Sequence, residues 1–171
     1  HVTYGYNFRL PEIAAAVVLG ELERLELLVA MRTEVAAIFD KVVRECSWLV
    51  PPFVPDDRTH SWWTYVCRIA DGGPEWSNLR ARFVDAGGDG FYGAWLPTYR
   101  EPVLQELSRE VSERPERYPH LADVMPDYRE TTCPVLESVQ PKLMQIKTNY
   151  FDLDEAERQA EALRRTVTEL G

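Results

Sequence analysis

The chain is short of lysine, histidine and paired cysteine, and each shortage narrows what it can do. Lys41, Lys142 and Lys147 are the only lysines, and the basic charge is carried mostly by arginine. Lys and Arg total 19 against 28 Asp and Glu, a formal charge of -9 with a pI near 4.9. An acidic surface repels a phosphate backbone, which argues against a nucleic-acid partner. The three histidines and three cysteines form no HxxH, HExxH or Cys/His cluster, so no metal site is expected. Cys46, Cys67 and Cys133 are odd in number and lack paired spacing, which argues against a disulfide framework and suits reduced thiols in a cytoplasmic protein. No apolar run reaches the roughly 18 residues that cross a bilayer, so no membrane association is expected. The first residues carry no basic segment leading into an apolar one, which excludes a signal peptide. They also lack an initiator methionine, which marks the chain as a candidate fragment. A glycine-rich phosphate loop is missing too, since Gly87-Gly88-Asp89-Gly90 lacks the GxGxxG spacing and opens no helix.

What is present is the composition of one folded domain. The 171 residues are 45% hydrophobic and 27% charged, enough to form a packed core and too apolar for disorder. Residues 1–10 read as an irregular, aromatic entry segment. Pro11 stands where a first helical turn begins and Glu12 favours the positive end of that helix. Apolar residues then recur at helical spacing: Ile13, Val17, Leu25, Leu28, Val29, Val35, Ala36, Phe39, Val42 and Val43. The spacing predicts a long helix over 11–46, or two in tandem broken near Leu25–Val29. Its other face, with Glu21, Glu23, Arg24, Glu26, Arg32 and Glu34, reads as solvated or subunit-facing.

Ser61–Ala70 is rich in aromatic and β-branched residues and predicts a strand. Glu75–Ala86 predicts a helix stopped by Gly87-Gly88. Asp89–Trp95 is a candidate short strand. Six prolines between residues 97 and 134 predict a long, partly helical excursion. A helix over Pro134–Val139, a short strand over Leu143–Ile146 and a last helix to Leu170 follow. Asp152 with Glu155 three residues on is the Asp form of a capping box. Helices between few strands imply an α+β layer, a small sheet covered on one face.

Several local patterns, in order, resemble one family. Gly5-Tyr6-Asn7-Phe8-Arg9 with Ala14-Ala15-Ala16 is similar to the G-x-N-x-R segment and following helix of the DegT/DnrJ/StrS sugar aminotransferases. Glu21-Leu22-Glu23-Arg24-Leu25 and Arg32 stand at the places of that helix's Q-L-x-x-L and later arginine, with Glu21 where glutamine is usual. His60-Ser61-Trp62-Trp63-Thr64-Tyr65-Val66-Cys67-Arg68 resembles the H-x-x-H-x-Y-V-x-R strand, with Trp63 in place of the second histidine. Leu79–Gly87, Cys133–Glu137 and Asp154–Val167 resemble later elements. The resemblance covers nearly the whole chain and the second half of the family's usual length.

It implies the C-terminal small domain of a fold-type-I pyridoxal-phosphate (PLP) aminotransferase: entry segment 1–10, then 11–171 as a small domain with a long N-terminal helix and a small, mainly antiparallel sheet. The reaction implied moves an amino group from an amino acid, glutamate as expected donor, to a keto group of a nucleotide-linked sugar or cyclitol. A PLP-dependent sugar dehydratase and a non-catalytic dimerisation module remain open. The lysine that carries PLP in this family precedes the G-x-N-x-R segment, and Lys41, Lys142 and Lys147 match nothing in its surroundings and read as solvated lysines. No catalytic residue is therefore assigned within the chain. The resemblance implies that Asn7 contacts the cofactor phosphate across a homodimer interface; the alternative is an Asn bridging loop backbone. Arg9 is an anionic-substrate contact or a loop anchor, and His60 a substrate contact or a satisfied structural histidine. Trp95 and Tyr99, beside Arg100, fall where the family's substrate loop lies and can stack a base or pack the loop.

Overall fold

The computed structural model describes residues 1–5 and 10–171. The chain divides into two compact units. One holds His1–Pro11 and Trp95–Ser138, the other Glu12–Ala94 and Val139–Gly171. The architecture is α+β, as the sequence predicts.

In the larger unit the expected long helix is two. Helix α1 spans Glu12–Leu22 and α2 spans Leu25–Glu45, broken at Glu23–Arg24. The break falls slightly ahead of the expected Leu25–Val29. Burial begins only in α2, where Val35, Ala36, Phe39, Val42 and Val43 line one face. Helix α1 is apolar around its whole circumference and buries no residue.

Strands β1 (Leu49–Val50), β2 (Thr64–Ile69) and β3 (Leu143–Lys147) form an antiparallel sheet in the order β1-β2-β3. Leu49 faces Ile69 across β1 and β2, and Tyr65 faces Ile146 across β2 and β3. Alternation along the strands sends Tyr65, Cys67, Ile69, Met144 and Ile146 to one face. That face meets α2, α3 (Trp76–Asp85) and α6 (Leu153–Leu170) in a single core. Burial pushes the Cys67 thiol up to about 12, so it acts as a small apolar side chain. The candidate strand at Asp89–Trp95 reduces to one bridge, Tyr92 to Gln145, because Gly90 takes a positive φ of 83° and Gly93 abuts the Trp76 ring.

Helix α3 is capped by the Glu75 carboxylate, which accepts from the Ser77 and Asn78 N–H groups. Helix α6 starts with the Asp152 carboxylate accepting from Asp154 N–H at 2.9 Å. The reciprocal half of the capping box does not form, since Glu155 turns to Arg158 and Gln159 instead.

The smaller unit is built around α4 (Pro102–Glu113), entered at a proline in its first turn. Its buried Ser108 hydroxyl donates to the Pro126 carbonyl and accepts the Tyr128 N–H at 2.8 Å, tying the proline-rich loop down. Helix α5 (Pro134–Val139) leads the chain back to the sheet.

Gly88 sets a packing limit that a substitution can test. A Cβ there would overlap the Phe83 ring, which is buried and stacked on Phe91 at 5.9 Å. With no free space for the ring, Gly88→Ala is expected to destabilise the chain by about 1–3 kcal/mol. Denaturant titration against the parent checks it, an unchanged midpoint being the contrary result.

Candidate functional site

His60 lies just ahead of β2 and is exposed. Two residues later Trp62 holds a φ of 51°, a region that a bulky L-residue rarely occupies. Local contacts sustain it. The Trp62 N–H donates to His60 Nδ1 at 2.9 Å, and the two rings meet tilted at 38° with centroids 4.2 Å apart. The Trp62 indole stacks in turn on Tyr65 at 5.7 Å, whose hydroxyl donates to Asp40 at 2.7 Å. Desolvation, followed by the Asp40 carboxylate, drives the Tyr65 phenol well above its usual range, so it remains a donor.

The carbonyls of the same turn point at Arg32 on α2 and Thr148 just after β3. Arg32 Nη1 donates to the Trp63 carbonyl and to Thr148 Oγ1, each at 3.1 Å, with the Trp62 carbonyl at 3.5 Å. The Thr148 hydroxyl, fully buried, donates to the Trp62 carbonyl. Arg32, which its helical position suggested as solvated, is therefore half-buried. Its guanidinium also lines a cavity of about 220 Å³ with Leu28, Met31, Tyr150 and Phe151. Trp63, standing where the family pattern has its second histidine, is 65% exposed.

In the smaller unit Trp95 is 78% exposed and borders an open hollow with Leu96, Thr98 and Pro102. Tyr99, in a short 3-10 turn over Thr98–Arg100, is buried. Its hydroxyl donates to Glu137 at the start of α5. Arg100 pairs with the same carboxylate at 2.9 Å and lies 5.6 Å from the Tyr99 ring centroid. The Cys133 N–H donates to it at 3.2 Å. Glu137 is thus the hub joining the aromatic loop to α5. Thr148 does not stand out in the sequence, and Glu137 was marked only as the last residue of the Cys133–Glu137 element that resembles the family, with no role attached. Asn7 and Arg9 lie outside the described residues.

Of the lysines, Lys142 pairs with Asp71. Lys147, expected to be solvated, is half-buried: it pairs with Asp89 and sits 4.8 Å from the Tyr150 ring centroid. The Lys147 ammonium, ahead of the Tyr150 hydroxyl, holds the Asp89 carboxyl below its usual range. Lys41 borders a broad groove of about 810 Å³ with Arg158, Arg164 and Arg165. Those arginines already meet Glu155, Glu161 and the Ala86 carbonyl. Every buried side-chain polar atom among the described residues has a hydrogen-bond partner. No lysine with convergent anion donors is left to cradle a PLP ring and phosphate, so the described residues do not by themselves fit that cofactor. Among them, no three His, Cys, Asp or Glu side chains converge as a metal-binding group. No described helix is long and apolar enough to cross a membrane.

The Glu137 hub sets a pH dependence. The Tyr99 hydroxyl first, then the Cys133 N–H and Arg100, holds its carboxyl below the usual value. A depressed carboxyl contributes stability above its unfolded pKa of about 4.3, lost as the pH falls through the lower folded value. Glu137→Gln is therefore expected to flatten the loss of stability below about pH 4.3. Denaturation midpoints from about pH 6 to about pH 2 read this directly, and parallel curves for the two proteins would refute it.

The model of the DegT/DnrJ/EryC1/StrS aminotransferase family matches residues 1–147. The spore coat polysaccharide biosynthesis protein SpsC of Bacillus subtilis is 27% identical over 104 residues, 60% of this chain and 27% of that protein. GDP-perosamine synthase of Caulobacter vibrioides is 26% identical over 126 residues, 72% of this chain and 27% of that protein. The chain thus spans about a quarter of the length of these curated relatives. Among solved structures, Helicobacter pylori PseC, an aminotransferase involved in the biosynthesis of pseudoaminic acid, superposes with a TM-score of 0.67 at 17% identity, over 98% of this chain and 40% of that one. The fold is shared with that enzyme, and the match over residues 1–147 shows that the chain belongs to the DegT/DnrJ/EryC1/StrS aminotransferase family.

Proposed function

We propose that this chain is the C-terminal portion of a PLP-dependent aminotransferase acting on a keto group of a nucleotide-linked sugar or cyclitol, with glutamate as amino donor. The family match over residues 1–147 carries the reading. The names of the relatives, a polysaccharide biosynthesis protein and a GDP-perosamine synthase, point to sugar chemistry. PLP supplies the electron sink for amino-group transfer when bound. The lysine that holds it covalently lies outside this chain in our reading, which agrees with the engagement of Lys142 and Lys147 in ion pairs. From this chain Asn7 donates to the cofactor phosphate. Trp95 and His60, both exposed, are its substrate contacts, with Tyr99 and Arg9 supporting them. The free state of all three cysteines suits a cytoplasmic enzyme.

The partner we propose is a second copy of the same protein, completing the active site across a homodimer interface. Helix α1 supports this reading. Ile13, Val17, Leu19 and Leu22 are 84%, 64%, 64% and 55% exposed, and a helix apolar all round belongs in an interior or an interface. In the complete enzyme Leu19→Glu, which removes no buried contact of this chain, is expected to turn the dimer into a monomer. Sedimentation velocity reads the change, and a fully active monomeric parent would sink the proposal.

A hydrogen bond to a charged phosphate contributes about 1.5–3 kcal/mol, and each 1.4 kcal/mol is roughly tenfold in affinity. Asn7→Ala in the complete enzyme is therefore expected to weaken PLP binding about 10- to 100-fold without lowering the melting temperature of the apo form. A loop-bridging Asn7 gives the opposite pair of results, a lower melting temperature and an unchanged dissociation constant.

A further inference from the structure

We infer that Arg32 and Thr148 are positioning residues for His60, and that they fix it as a neutral imidazole whose Nε2–H is presented to an oxygen acceptor of a ligand. A backbone N–H only donates, so His60 Nδ1, 2.9 Å from the Trp62 N–H, is its acceptor and carries no proton. The single proton of the neutral ring is then on Nε2, and the ring is exposed.

Trp62 presents its N–H this way only in its left-handed conformation, with a φ of 51°. Such a conformation is unfavourable for a bulky L-residue and persists where neighbours over-determine it. The neighbours are identifiable. A guanidinium cannot accept, so Thr148 Oγ1 accepts from Arg32 and turns its one proton to the carbonyls of the turn, nearest that of Trp62, with that of Trp63 at 3.2 Å. Arg32 holds the next carbonyl, that of Trp63, at 3.1 Å. Two consecutive carbonyls are thus clamped from α2 and from the end of β3. Among the described residues Arg32 forms no ion pair, and its Nη1 donates to this clamp. The tilted contact of the His60 ring with the Trp62 ring, centroids 4.2 Å apart, then limits the orientation of the imidazole. The result is a donor of fixed tautomer and orientation, suited to a sugar keto or hydroxyl oxygen, a phosphate or a carboxylate. What the ring meets rests on the reading of His60 as a substrate contact. The tautomer and its anchoring do not, and they are tested without substrate.

Long-range proton–nitrogen NMR correlations of the ligand-free protein, with His60 assigned by comparison with His60→Gln, read the tautomer directly. The parent is expected to show His60 at neutral pH with its proton on Nε2 alone. Thr148→Ser, which keeps the hydroxyl, is expected to retain that pattern, and Thr148→Val to show both tautomers. Should Thr148→Val fail to fold by circular dichroism, Arg32→Lys, which keeps the charge and loses the forked donor, is read in the same way. A parent ring that samples both tautomers or holds its proton on Nδ1 overturns the inference. So does a folded Thr148→Val or Arg32→Lys protein in which the Nε2–H form remains the only one. Failure of the aminotransferase reading leaves these spectra unchanged, so the two outcomes are distinguishable.

Discussion

Three antiparallel strands of two, six and five residues cannot hold themselves together in water. Everything ordered in the larger unit follows from covering one face of that sheet. The alternation in β2 and β3 places Tyr65, Cys67, Ile69, Met144 and Ile146 on the covered side. Helix α2 meets them with Val35, Phe39, Val42 and Val43, and α6 with Ala156, Ala160 and Leu163. Fixing β2 in register also fixes its entrance, and it is there that the chain bends through Trp62.

The smaller unit obeys a different logic. Its prolines deny it a regular ladder, and among its described residues only Pro97, Tyr99 and Val111 are buried apolar ones. Polar hubs take the place of a core. Ser108 on α4 ties down the loop at Pro126 and Tyr128, and Gln105 donates to the Tyr128 carbonyl at 2.9 Å. Asp127, chelated by Arg129, has its carboxyl held down to about 2. Glu137 gathers Tyr99, Arg100 and Cys133. Directional bonds of this kind specify a loop conformation without demanding much buried area, which suits a segment that must leave Trp95 exposed.

What could be read in the sequence was whatever periodicity or capping encodes. The stripe from Val35 to Val43, the β-branched run at β2 and the Asp152 cap all state their structure locally. The break between α1 and α2 was visible only as a change of pattern, because nothing at Glu23–Arg24 forbids a helix. The Asp89–Trp95 segment misled because its aromatics suggested a strand, whereas Gly90 and Gly93 leave it a single bridge. Arg32 and Lys147 looked solvated because burial of a charged residue depends on distant partners, here Thr148, 116 residues away, and Asp89. Of the candidate site residues, His60 and Trp95 come from the family pattern and lie exposed, Tyr99 is committed to Glu137, and Asn7 and Arg9 fall outside the described residues.

Helix α1 links stability to function. It has 11 residues and no buried side chain, and an isolated helix shorter than roughly 12–15 residues is marginal in water. Its order therefore depends on whatever covers Ile13, Val17, Leu19 and Leu22. The segment that the proposal assigns to the cofactor phosphate immediately precedes it. A ligand that binds only the assembled form draws the equilibrium toward that form. On the proposal of a PLP-binding homodimer, subunit association and cofactor retention become two readouts of one equilibrium, with α1 as the shared element. The core around the sheet stands apart from this coupling, because Phe39, Tyr65 and Leu163 are buried without any contribution from α1.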